Sequence, residues 1–211
     1  MSHCQEIKIN GLLGQHRSSL LGGLTIKRNV FISYYHGDQL EVDTFVHTFG
    51  RRLGIFTPVM LNPGQRYGTS IIGSTDTDYV MQQIRSRHFG HSTVSIVLLG
   101  SCTHSRRYVD WETKASLQRG GSGGELPHGL MAIALPSTGG SAYIPERFLK
   151  NWVEGNTGGY ARFYRYPQNG EEVRSWIEDA YSARTARSHL IVNPNEMWKN
   201  NRVCEMCGIT H

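Results

Sequence analysis

A run of β-branched and leucine residues, Thr93 to Leu99 (TVSIVLL), carries almost no polar atoms. A half-exposed strand alternates polar and apolar residues; this one does not, so it reads as buried on both faces. A parallel sheet covered by helices on either side meets that condition, and it places the chain in the α/β class. Gly100 and Ser101 end the run. The loop that follows, SCTHS, therefore lies at the carboxyl end of a central strand, where open α/β sheets hold their ligands. Arg106 to Glu112 (RRYVDWE) then opens a short helix. Tyr108, Trp111, Glu112 and Ala115 are spaced by three and four, so they share one helical face. A carboxylate among apolar groups is paired, capped or chemically employed.

The surrounding elements repeat the strand-helix alternation. NVFISY (Asn29–Tyr34) is a β-branched, aromatic strand that ends in a polar loop, Tyr35-His36-Gly37-Asp38. Val42, Phe45, Val46, Phe49 and Leu53 then recur at helical spacing, which predicts a helix over 39–53. Ile55–Leu61 reads as a second strand, weakened by Pro58 and so suited to an edge. Asn62–Ser74 is a Gly-rich loop, read equally as a cover over a ligand or an ordinary connection. Asp76 or Thr77 is placed to cap a helix running to about Arg87. Arg119–Gly124 (RGGSGG) lacks the Lys and Ser/Thr of a phosphate loop and reads as a connector. GLMAIAL (Gly129–Leu135) is another buried strand, and YARFYRY (Tyr160–Tyr166) an edge strand. Ser137–Gly159 reads as mostly loop with a turn or two of helix from Phe148 to Val153. Asn169 starts a helix, with Glu172 placed for a capping box. Val173, Trp176, Ile177, Ala180 and Tyr181 form its apolar face. The boundaries that follow are an N-terminal extension (1–28), one domain (29–187) and a polar C-terminal tail (188–211) in a chain of 211 residues.

The net charge of +5 favours an anionic ligand. Lys and Arg are scattered and never form a dense run, which argues against nucleic acid. Arg51-Arg52 and Arg106-Arg107 are the largest clusters, and both read as solvated helix ends. No stretch approaches the roughly 18 apolar residues of a membrane helix. No basic segment leads into an apolar N-terminal core, so the expectation is a cytoplasmic protein with free thiols. Cys204-x-x-Cys207 with His211 offers three potential zinc ligands where a structural site wants four. His3 and Cys4 would have to fold back to complete the set, so the sequence reading is of no metal. Cys102 has no base fixed beside it and reads as a structural cysteine.

Three segments together carry a family resemblance. NVFISYYHGD resembles the first strand and loop of TIR domains. HSTVSIVLLGSCTHSRRYVDWE resembles the strand, loop and aromatic-x-x-x-Glu helix of TIR-like proteins. It is most similar to the ThsB family of the Thoeris anti-phage systems, whose helix commonly opens Arg-Arg-Trp-Val where this chain has Arg106-Arg107-Tyr108-Val109. DTDYVMQQIRSRHF stands where that family has the helix feeding the central strand. The resemblance covers roughly 29–115, with weaker support to Leu135. It implies a TIR-like, flavodoxin-like three-layer domain with a central, mainly parallel sheet.

The resemblance also implies an enzyme that consumes NAD+ as substrate and needs no prosthetic group. Such an enzyme cleaves the nicotinamide–ribose bond and makes a cyclic ADP-ribose or related ADP-ribosyl signal. The implied partners are a separate effector protein reached by that diffusible product, a phage-derived trigger, and further copies of the chain. The family's catalytic glutamate falls on Glu112, with Tyr108 in place of the usual tryptophan. Loss of nicotinamide leaves positive charge on the ribose, which a fixed carboxylate stabilises. Tyr108 and Trp111 are expected to wall the pocket and exclude water. Ser33, Tyr34, Tyr35 and Asp38 read as substrate contacts across the cleft or as strand and loop scaffold. Ser101 reads as a substrate contact or as a cap for the helix after it. The competing reading is a non-catalytic TIR-type assembly module with Glu112 as an ion-pair partner of Arg106 or Arg107.

Overall fold

The computed structural model describes residues 6–8, 26–61, 74–118 and 125–210. Its centre is a five-stranded parallel sheet made of β2 (Arg28–Ser33), β3 (Phe56–Val59), β4 (Val94–Leu99), β5 (Gly129–Ala134) and β7 (Arg162–Tyr164). The spatial order is β3-β2-β4-β5-β7. This is the flavodoxin-like order, in which the chain reverses direction across the sheet between its first and third strands. β4 is the middle strand and all six of its residues are buried. Its apolar side chains contribute roughly 1.5–3 kcal/mol each on burial, so its carboxyl end is a firm platform. β3 is an edge strand, as Pro58 requires.

Alternation along the strands sorts the core into layers. Val30, Ile32, Val94, Ile96, Leu98, Met131 and Ile133 pack on one side, against α1 (Gln39–Phe45) and α5 (Gly170–Ala186). Phe31 packs on the other side with Trp111 and Ala115 of α3 (Arg107–Leu117) and with Val80, Met81 and Ile84 of α2 (Thr77–His88). Val97, Leu99, Leu130 and Ala132 share that side with Val109 and Leu117 of α3 and with Phe148 of α4 (Glu146–Leu149). The result is the three-layer α/β domain expected.

Two caps follow the sequence closely. Asp76 accepts from the backbone N–H groups of Asp78 and Tyr79 at the start of α2. Asn169 accepts from Glu172 N at the start of α5, while the Glu172 carboxylate reaches back to Gln168 N rather than to Asn169. Elsewhere the structure departs from expectation. The helix predicted over 39–53 is α-helical only to Phe45 and continues to Arg52 as a wider π-helical turn. The region 137–159 contains a strand, β6 (Ser141–Tyr143), which pairs antiparallel with β1 (Glu6–Lys8). Three-residue strands have too little pattern to be read from sequence. The helical turn expected at 148–153 starts two residues earlier, at Glu146. The loop at 62–73 and the connector at 119–124 lie outside the described residues. Among those described, no helix is long and apolar enough to cross a membrane.

The tail after α5 runs over the outside of α3. Asn193 donates to Lys114 O, Trp198 accepts the Trp111 indole N–H at 2.8 Å, and Asn201 Oδ1 accepts from Arg107 N at 2.9 Å. Arg202 N then bonds Ser105 O. Covered by the sheet on one side and by this strap on the other, α3 is buried at every position from Val109 to Leu117.

Candidate active site

Two loops meet at the carboxyl edge of the sheet where its strand order reverses. One follows β2 and the other follows β4, and these strands are neighbours. Asp38 and Thr103 tie the loops together: Thr103 Oγ1 donates to Asp38 Oδ2 at 3.2 Å and accepts from Gly100 N at 3.0 Å. A Cβ on Gly100 would run into the Asp38 carboxylate, so this junction needs glycine. Burial raises the Asp38 pKa, and the Thr103 hydrogen bond and the nearby Arg106 charge work against that rise.

Glu112, on α3, is at 6% exposure. Ser33, the last residue of β2, donates from Oγ to Glu112 Oε2 at 2.5 Å. One turn along α3, Ser116 bonds Ser95 Oγ on β4 at 2.7 Å. The row Glu112–Ser116 therefore faces the sheet with polar groups, while the row Trp111–Ala115 joins the apolar layer under α2. Adjacent helix residues lie about 100° apart, which is enough to divide the two rows. The single mixed face read from the sequence is thus two faces.

Trp111 is corrected on this point. At 2% exposure, with its indole N–H held by Trp198 O, it is a core residue and not a pocket wall. Tyr108 is half-buried, edge-on to Trp111 at 5.5 Å, and its hydroxyl accepts from Arg107. Tyr34 lies with the α1 layer, and its hydroxyl donates to Gln39 Oε1 at 2.8 Å. Burial is the main cause of its raised pKa; the hydrogen bond to Gln39 opposes it, and the charges of Asp43 and Glu112 add to it. Ser101 does not cap α3. That role belongs to Asn201 of the strap, 94 positions away.

Tyr35 is half-buried and lies under the Arg106 guanidinium, 3.8 Å from its ring centre. Arg106 is the functional candidate that the sequence reading missed. It is 5% exposed, not a solvated helix end; its Nε donates to Cys102 O at 3.2 Å, and its Nη2 has no hydrogen-bond partner among the described residues. A double-Arg pair gives no signal of which member turns inward. Arg51 and Arg52, by contrast, are exposed as expected. Arg107 turns to the strap, donating to Lys199 O.

The four residues Ser33, Asp38, Arg106 and Glu112 thus lie at or after the carboxyl ends of the neighbouring strands β2 and β4, Ser33 tied to Glu112 and Asp38 near the Arg106 charge; Tyr35, half-buried, lies against Arg106, and Tyr108, half-buried, is on α3. An oriented carboxylate can stabilise a developing cation, and a guanidinium with an unused donor can hold an anion. Cys102 adds no nucleophile. Burial, with the neighbouring thiols of Cys204 and Cys207, pushes its pKa up to about 12. A family model described as Thoeris protein ThsB, TIR-like domain, matches residues 31–139, just over half of the chain, and this span holds all four of those residues. No curated protein matches the chain.

Proposed function

The chain belongs to the Thoeris ThsB TIR-like domain family, and from that premise we propose that it cleaves the nicotinamide–ribose bond of NAD+ and makes a cyclic ADP-ribose or related ADP-ribosyl signal. The observation that carries this reading is the Ser33–Glu112 pair: a carboxylate at 6% exposure, oriented by a strand-end hydroxyl, where the sheet order reverses. A flavodoxin-like sheet binds its ligand at that point.

The chemistry suits one carboxylate. The C1′–N bond breaks and its electron pair goes to the nicotinamide nitrogen, which becomes neutral. The positive charge left on the ribose is stabilised by Glu112, whose position Ser33 holds without reorganisation. A nucleophile then attacks C1′: an adenine nitrogen of the same molecule gives a cyclic product, and water gives free ADP-ribose. Exclusion of water decides between them. Arg106 meets the diphosphate, and Tyr35 and Tyr108 offer ring faces and edges to the substrate. NAD+ is substrate and no prosthetic group takes part. The product carries the signal to a separate effector in the cytoplasm, and a phage-derived trigger or self-assembly turns the enzyme on.

The test is NAD+ turnover by the purified full chain, followed by chromatography and mass spectrometry, with and without lysate from phage-infected cells. Nicotinamide release that falls by at least about 100-fold in Glu112→Gln is expected, on the scale of removing one transition-state stabiliser. Product mass separates cyclisation from hydrolysis. Absence of turnover by folded protein under both conditions would leave a TIR-type assembly module in which Ser33–Glu112 is a structural pair.

A further inference from the structure

Three cysteines far apart in sequence meet beside the loop that follows β4. The sulfurs of Cys102, Cys204 and Cys207 all lie within 4.8 Å of one another. Cys102 and Cys204 are 2.7 Å apart and Cys102 and Cys207 3.6 Å. Cys102 and Cys204 are buried and Cys207 is exposed. The Cys204–Cys207 segment is a tight turn. Gly208 N donates to Cys204 O at 2.8 Å, and Cys204 N donates to Ile209 O at 2.9 Å. Gly208 closes the turn at φ 70°, a left-handed conformation natural to glycine. An x2 spacing folded this way turns both thiols towards Cys102. The sequence alone offered Cys204, Cys207 and His211, with His3 or Cys4 to complete the set by folding back; the thiol that the structure brings to Cys204 is Cys102, from 102 positions upstream.

We propose that Cys102, Cys204 and Cys207 bind a zinc ion that clamps the C-terminal strap to the loop at the mouth of the candidate active site. Three thiolates form a soft donor set that selects zinc over magnesium or calcium. Zinc–sulfur bonds of about 2.3 Å in a tetrahedron put sulfurs about 3.8 Å apart. The Cys102–Cys207 pair already matches that spacing, and the Cys102–Cys204 pair has to open by about 1 Å to reach it. Each thiol gives its proton to solvent as it binds. The fourth position goes to water or one further donor. A disulfide is the poorer account: 2.7 Å is well beyond the bonded distance of about 2.05 Å, and a bond between two of the sulfurs leaves the third without a role. The consequence is mechanical. The strap covers α3 from Lys114 to Arg107 and then reaches this cluster, so the ion fastens it to the loop that follows β4. The inference does not depend on the reaction proposed for Glu112.

The test uses the full-length chain, expressed with zinc in the medium and purified under reducing conditions without chelator. Elemental analysis should find about one zinc per chain. Cys102→Ser and Cys207→Ser should each cut that to below about a tenth. Cys207 is exposed, so its variant keeps the fold. Cobalt in place of zinc should give an intense thiolate-to-metal charge-transfer band, absent in Cys207→Ser. Chelation should expose residues 191–210 to protease, and zinc but not magnesium should restore protection. Folded wild-type protein free of metal would overturn the proposal. So would a thiol titration showing that the freshly isolated chain holds a Cys102–Cys204 disulfide.

Discussion

A buried charged nitrogen without a hydrogen-bond partner is costly, and among the described residues Arg106 Nη2 is one, in a side chain 5% exposed. Leaving a buried donor unmade costs about 1–3 kcal/mol, and more for a charged group. Two contacts offset part of that cost, the Nε bond to Cys102 O and the ring of Tyr35 at 3.8 Å. Neither uses Nη2. The Asp38 carboxylate is close enough for the two charges to interact, but its own hydrogen bond comes from Thr103. In the proposed reaction this unused donor serves as an anion contact. Arg106→Ala then removes binding shared by ground and transition states. The expected result is a KM for NAD+ raised on the order of tenfold to a hundredfold, with kcat within about threefold. Arg106→Lys should recover only part of the affinity, because an ammonium has no planar face to lie over Tyr35. Steady-state kinetics on the three proteins decides this, and an unchanged KM in Arg106→Ala would remove Arg106 from the site. Glu112→Gln acts in the opposite way, on kcat, since a carboxylate that meets a developing cation acts in the transition state.

At the scale of elements, α3 is the best example of a helix whose stability lies outside itself. Its first N–H is capped from the strap by Asn201, its Lys114 donates to Pro194 O, and its Asp110 forms a buried pair with Arg147 at 2.8 Å. Arg147 also bonds Asn193 Oδ1 and the carbonyls of Pro194 and Glu196, so one guanidinium joins α3, α4 and the strap. Removing one member of a buried, hydrogen-bonded ion pair costs about 3–5 kcal/mol. Arg147→Ala should show that loss in urea unfolding, whereas Asn201→Ala should cost only about 1 kcal/mol, the usual value of a cap. Equal effects from the two would show that the strap is held by contacts other than this pair. The same contrast explains what was legible in the sequence. The caps at Asp76 and Asn169 were readable because their partners lie within three residues. The buried strands declared themselves by composition, and the position of Glu112 followed from the strand and loop before it. The cap at Arg107, the pair of Asp110 with Arg147 and the meeting of three cysteines join residues 37 to 105 positions apart, and no local pattern records them. Trp111 was misplaced, and Tyr34 left open between contact and scaffold, for a different reason. An aromatic side chain beside a site and one in the core obey the same spacing, and only the strap and α1 decide which it is.

For the whole molecule, buried histidines tie stability to pH. His128 precedes β5 at 5% exposure, between the positive charges of Arg85 and Arg184. Burial is the larger cause, and with those charges it pulls the His128 pKa down to about 3. Its Nδ1 is 2.9 Å from Ser95 Oγ, which in turn accepts from Ser116. With the Ser95 hydroxyl donating to Nδ1, the neutral ring is the form that fits. An unfolded histidine titrates near 6.5. Between about pH 3 and 6.5 the unfolded chain therefore holds a proton that the folded chain does not. Stability rises with pH across that window and falls by about 1.4 kcal/mol for each unit of acidification. Burial also lowers His104 and His88, which act in the same direction. The lowered carboxyl of Glu146, held down chiefly by its bond from Lys150, loses its contribution as pH falls towards the carboxylate range. Asp38 opposes them, since its raised pKa lets the folded chain take up a proton first. The net expectation is a protein that loses stability steeply below about pH 6.5, before most carboxylates titrate. His128→Gln keeps an acceptor for Ser95 but has no proton to gain. Urea unfolding between pH 7 and pH 5 should show a slope in His128→Gln shallower than wild type by about 1.4 kcal/mol per pH unit in the lower half of that range. Identical slopes would mean that His128 is protonated in the folded chain, and that Ser95 and Ser116 do not hold the neutral ring.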